Sequence, residues 1–169
     1  MVPLPMPTHL TDDIAALLVR DLEGFQREIS LFPDEDSLWR TARGVNNSAG
    51  NLALHVAGNI QYFIGTVLGG TGYVRDRDRE FGDHSLSRAD LVAELGRAID
   101  AVRTVLPRLA AEQLDASFTA HRTSTPASTR RFLLHLCTHT AFHVGQAGYL
   151  RRILTGDPRS TDTVTASRL

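Results

Sequence analysis

Four long stretches of the chain repeat apolar residues every three or four positions, and none alternates apolar with polar as a half-buried strand would. The pattern predicts an all-α protein. The first stretch runs from about Leu10 to Leu31, with Thr11 as its expected cap, Asp12 and Asp13 in the first turn, and Ile14, Leu17, Leu18, Phe25 and Ile29 along it, until Pro33 closes it. The second, about Ser48 to Leu68, carries Leu52, His55, Val56, Asn59 and Phe63 on one stripe and ends at Gly69-Gly70. The third opens at Ser87, with Asp90 as an approximate capping box, and runs to a kink or an early end near Leu106, before Pro107. The fourth, about Ala127 to Leu154, stops at Gly156 with Arg151 and Arg152 in its last turn.

Four amphipathic helices of about 20 to 28 residues make a four-helix bundle the simplest architecture. At 169 residues the chain is read as one domain, with its core over about 10–154 and a flexible tail over about 157–169. The long connection GGTGYVRDRDREFGDHS between the second and third helices is expected to cross a bundle end, its RDRDRE run read as a solvated loop of mixed sign.

Charge separates few functions. A formal net charge of −1 and a pI near 6.6 carry no footprint for nucleic acid or an anionic membrane. All 18 basic residues are arginine, so Schiff-base and P-loop lysine chemistry is excluded. One cysteine, Cys137, leaves no intramolecular disulfide framework. The opening MVPLPMPTHL lacks the features of a secretory signal, and no segment reaches the roughly 20 apolar residues of a membrane span. The expected compartment is the cytoplasm.

The chemistry-bearing feature is the ladder in LLHLCTHTAFHVGQAGYL, where His135, His139 and His143 follow at four-residue steps. Neighbours in such a ladder rise about 6 Å and turn about 40° from one another, so either adjacent pair can meet one ion. The outer two stand about 12 Å apart, too far for bonds of about 2.0–2.1 Å to one ion. A helical pair needs a third ligand, and His55 on the core stripe of the second helix is the best placed; His9, His84 and His121 fall in terminal or loop-like sequence. Three neutral imidazoles with an open position form the pattern of a catalytic metal site, not of a closed structural one.

Sharper motifs are missing. HLCTH and HTAFH lack the glutamate of a metalloprotease HExxH, GGTGYVR lacks the spacing of a nucleotide loop, and no G-x-S-x-G is present. Cys137 sits about 160° around the helix from His139 and reads as packing.

NSAGNLALHVAGNIQYFIG, with His55 at its centre, and HTAFHVGQAGYLRR resemble the DinB-like superfamily of four-helix-bundle proteins, over roughly Leu10 to Leu154 and including GG-x-GY-x-R with Glu80-Phe81. The resemblance implies a divalent-metal site of His55, His139 and His143, with Gly145-Gln146 after the last histidine and His135 outlying. Gln146, Asn51 and Asn59, like His135, then become residues that could orient a ligand imidazole or line the pocket. Zinc or nickel leads among the metals. The resemblance also implies a homodimer and a metal-dependent transferase that activates a low-molecular-weight thiol toward a small-molecule substrate. A hydrolase using metal-bound water and a non-catalytic metal-binding or stress-response protein are the alternatives.

Overall fold

Every element in the computed structural model, which describes residues 9–119, 126–165 and 167, is helical apart from one isolated bridge between Ser117 and Ser128. The long helices are α1 (Leu10–Ser30), α3 (Ala49–Ile60), α5 (Arg88–Val105) and α7 (Thr129–Thr155). Short helices α2 (Glu35–Trp39), α4 (Arg77–Gly82) and α6 (Ala111–Asp115) lie in the connections.

Local chemistry accounts for most of the boundaries. Ser48, Ser87 and Ser128 cap α3, α5 and α7, each hydroxyl accepting from the backbone N–H three residues on. Asp90 completes the box at α5 by accepting from the Ser87 N–H. Gly156, at φ +70°, ends α7 in the left-handed region that a side chain would disfavour. The cap of α1 is His9 and not Thr11: Asp12 accepts from the His9 N–H at 3.2 Å, while Thr11 lies inside the helix and is buried.

The second predicted helix also changes character. After Ile60 the backbone widens into a π-helix, Gln61–Leu68, before Gly69 ends it. This segment sets Phe63 edge-on to Phe132 of α7, with ring centres 4.9 Å apart, beside the stacked pair Phe118 and Phe132. Beyond α5, Leu106–Arg108 tightens into a 3₁₀ turn around Pro107.

α1 and α3 each pack along both α5 and α7. One apolar cluster fills the space between them, including Leu18, Leu22 and Phe25 from α1, Val56 from α3, Leu95 from α5 and Leu136 from α7. Each such fully buried side chain contributes roughly 1.5–3 kcal/mol by leaving water. Residues 157–165, within the stretch expected to be a flexible tail, return to α1: Thr161 donates to Glu28 at 2.9 Å, and Thr163 packs over Gly24. No helix among the described residues is long and apolar enough to cross a membrane.

Candidate metal centre

His55 points from the middle of α3 into the gap between α3 and α7, where it meets His139 and His143. The Nε2 atoms of His55 and His139 stand 3.3 Å apart, and those of His139 and His143 stand 3.1 Å apart. One ligand atom from each residue lies within 4.8 Å of the others. Two nitrogens bound at about 2.05 Å to one tetrahedral ion are about 3.3 Å apart, so the spacing suits a shared cation.

The outward-facing nitrogens decide which atoms point inward. His55 Nδ1 lies 2.9 Å from Glu80 Oε2, which can only accept, and 3.3 Å from Arg75 Nη2, which can only donate; the carboxylate is the nearer and assigns the hydrogen to Nδ1. His143 Nδ1 lies 2.7 Å from Gln146 Oε1 and is likewise the donor. Both rings therefore turn an Nε2 lone pair toward His139. A neutral His139 holds one hydrogen on its ring and can satisfy at most one of those lone pairs. Convergence of three nitrogens with so few hydrogens is a donor set for a cation, and this is the arrangement in which carboxylate and amide partners orient metal-binding imidazoles.

Electrostatics disfavour a proton on two of the three rings. Burial, reinforced by His143, His55 and His135, lowers His139 to about 3, so it is unprotonated at neutral pH. Burial also lowers His143, against the hydrogen bond to Gln146. At Glu80 burial acts to raise the carboxyl, but the bonds from Arg75 and His55 outweigh it and hold it below the usual range. Arg75 donates through Nε to Oε1 at 2.6 Å and through Nη2 to Oε2 at 2.8 Å.

Glu80 is the residue that the sequence reading missed. The RDRDRE run is not uniformly solvated: Glu80 is 4% exposed on α4, seated against Gly58 of α3. In sequence it is one acid among several of a mixed-charge run. The only signal was its place in the GG-x-GY-x-R and Glu80-Phe81 stretch.

The remaining predicted residues fall as follows. Asn51 makes no hydrogen bond to an imidazole among the described residues; its Nδ2 donates to the carbonyls of Glu80 and Asp83, both at 3.1 Å, and so fastens α4 over the site. Asn59 is buried with an Oδ1 that has no partner among the described residues. His135 is exposed and outside the convergent set, its ring centre 5.7 Å from that of His139. His9 and His84 are exposed, and His121 lies outside the described residues. Cys137 is buried, and burial, followed by the nearby Asp21 charge, pushes its thiol up to about 11, which suits packing and not nucleophilic attack.

The group is three imidazoles with no fourth protein ligand among the described residues. Such a site suits zinc, nickel, copper or iron and leaves coordination positions for another molecule.

Comparison with known proteins agrees with this picture. No curated protein sequence matches the chain significantly. A crystal structure of a conserved protein from Enterococcus faecalis superposes with a TM-score of 0.73 at 17% identity, covering 89% of this chain and 100% of that one, which shows a shared fold. The family model of the DinB superfamily matches residues 17–147, most of the chain and all three histidines. The chain belongs to the DinB superfamily.

Proposed function

We propose that this protein holds a divalent metal, zinc or nickel first among the candidates, on His55, His139 and His143 and uses it to transfer a low-molecular-weight thiol to a small electrophile. The observation that carries the reading is the convergence of three Nε2 atoms whose opposite ring nitrogens, in two of the three, are already committed to Glu80 and Gln146. A bound cation would supply the acidity that strips the proton from a coordinated thiol near neutral pH.

The protein's own residues do the positioning. Glu80 holds the His55 ring and is itself neutralised by Arg75, so the pair adds no net charge beside the cation. Gln146 fixes the His143 ring without charge. Phe81, with its ring centre 5.0 Å from that of His55, shields one side of the imidazole from water. The reading takes the four long helices as a single-domain four-helix bundle and the compartment as the cytoplasm, which the unpaired Cys137 supports. It also includes a homodimer, for which Phe142, 62% exposed on α7, offers an apolar surface to a second copy.

Elemental analysis of the untagged, exhaustively dialysed protein tests the first half, with wild type beside His143→Ala. About one equivalent of metal per chain in wild type and little in the variant is the expected result. A wild type that also fails to take up zinc or nickel on titration sinks it. The second half predicts consumption of an electrophile only when a thiol is supplied; turnover at the same rate without thiol would transfer the site to hydrolysis.

A further inference from the structure

A depression of about 400 Å³ lies between the loop at residues 44–47 and the C-terminal half of α7. That is within the size range of small-molecule sites, roughly 300–1,000 Å³. Its apolar lining comes from Val45, Leu52, Tyr149, Leu150 and Ile153, and no charged side chain lines it. Leu52 and Leu150 are buried and close its inner side, whereas Tyr149 and Ile153 are 70% and 65% exposed. Water therefore meets a concave, largely apolar surface there, the form that small-molecule sites take.

Three amides, from Asn46, Asn47 and Gln146, join the Tyr149 hydroxyl as the polar groups of the lining side chains. Gln146 belongs to both the depression and the histidine site. Its Oε1 is taken by His143, which leaves its amide NH₂ without a protein partner among the described residues. Leu52 stands three residues before His55 on α3, and Gln146 stands three after His143 on α7. Each step is a rise of about 4.5 Å along its helix, so the near edge of the depression lies about one turn from the imidazoles, while Ile153, ten residues past His143, marks a far end about 15 Å along α7.

The geometry points to this depression as the seat of an uncharged, largely apolar small molecule whose oxygen acceptor takes a hydrogen bond from the Gln146 amide. Resting on the function proposed above, that molecule is the electrophile: the substrate class is apolar and neutral. Phosphorylated and carboxylate compounds are disfavoured in the seat, because an anion against its apolar walls would lose hydration with no cationic side chain in the lining to pair with.

A fluorescence titration of the full chain with the uncharged probe N-phenyl-1-naphthylamine tests this, with zinc uptake measured in parallel. The proteins are wild type, Ile153→Arg, which puts a charge in the lining, Val45→Trp, which fills the mouth, and Leu134→Arg, which alters an exposed apolar position of α7 outside the depression. Saturable binding is expected in wild type and Leu134→Arg, weakened about tenfold or more in the other two, a shift that a direct titration resolves. Zinc uptake should be the same in all four. Circular dichroism checks folding, and if Ile153→Arg does not fold, Val45→Trp carries the test alone.

No saturable binding to wild type, or equal binding by all four proteins, overturns the proposal. So does a wild-type dimer that ignores the probe and separates on Ile153→Arg, which would give the face to a second copy. Zinc uptake without probe binding removes the seat and leaves the metal reading standing. Probe binding without zinc uptake does the reverse: the seat remains, and the metal reading falls.

Discussion

Two buried carboxylates in this protein are built alike and serve different ends. Glu28 on α1 and Glu80 on α4 each take an arginine, Arg151 and Arg75, and each leans on a helical glycine, Gly148 and Gly58. They differ in what else the carboxylate accepts. Glu28 accepts from Thr161, and Arg151 donates onward to the carbonyls of Asp157 and Arg159, so this pair binds α1, α7 and the chain after α7 into one block. Glu80 accepts from His55, so its pair ends on an imidazole facing two others. The same ion pair is a structural clamp where its neighbours are backbone, hydroxyl and the Asp157 carboxylate, and a positioning device where one neighbour can bind a metal.

The largest effect should come from breaking the sealed pair. Arg151 has no exposed surface, and Arg151→Met would leave Glu28 buried without a cation, a loss of about 3–5 kcal/mol. Urea unfolding measures it, and a loss under about 1 kcal/mol would mean that the carboxylate finds water or protonates cheaply. The double variant Glu28→Leu with Arg151→Met should recover much of the loss, because no buried charge then remains unpaired.

At the second pair the expected loss moves from stability to binding. Glu80→Gln removes the charge that orients His55, and zinc affinity should fall roughly 10–100-fold. Stability should fall by only about 1–3 kcal/mol, since Arg75 is partly exposed and can turn to water. Isothermal titration with zinc beside urea unfolding separates the two quantities. Equal zinc affinity in both proteins would reduce Glu80 to a clamp like Glu28.

The glycines sharpen the contrast at smaller cost. A Cβ at Gly58 would come 2.4 Å from Glu80 Oε1, whereas one at Gly148 would stand 3.1 Å from Glu28 Oε1. Gly58→Ala should therefore displace Glu80 and weaken zinc binding several-fold or more, approaching the range for losing an orienting partner. Gly148→Ala should be within about 1 kcal/mol of wild type, its tighter contact offset by the better helix propensity of alanine. Similar zinc affinities for Gly58→Ala and wild type would show that Glu80 has room to move.

The mildest perturbation is pH on the metal-free protein. His139 is lowered from 6.5 to about 3 by burial and by its histidine neighbours, so below pH 6.5 the unfolded chain takes up a proton that the folded one refuses. The stability from keeping His139 neutral is thus full above pH 6.5 and declines as pH falls toward 3. Glu80, lowered from 4.5, adds a second decline, beginning near pH 4.5 and continuing through its folded value as the pH falls. Unfolding midpoints at pH 7 and pH 5 should differ more in wild type than in His139→Gln; equal differences would show that His139 stays accessible to protons.

Much of the fold was legible because it rests on local chemistry. The apolar periods, the serine starts of α3 and α5, and the glycine ends after Leu68 and Thr155 are each settled within a few residues, whereas the cap of α7 is Ser128, one residue past the expected start at Ala127. The sequence therefore determined the all-helical class and the placement of its long helices, and its fixed four-residue ladder separated His135 from His143. What it could not determine was contact between segments far apart in the chain. The π-helical turn after Ile60 answers to packing against α5 and Phe132. Glu80 resembles every other acid of its run until α4 folds back and buries it over Gly58. Gln146 and Leu52 share a depression only because α3 and α7 lie side by side. Caps and periodicity act over one or two helical turns, so a single stretch of sequence contains their cause. The burial that fixes a ring tautomer or separates a clamp from a site depends on which distant helix arrives, and tertiary packing alone decided that.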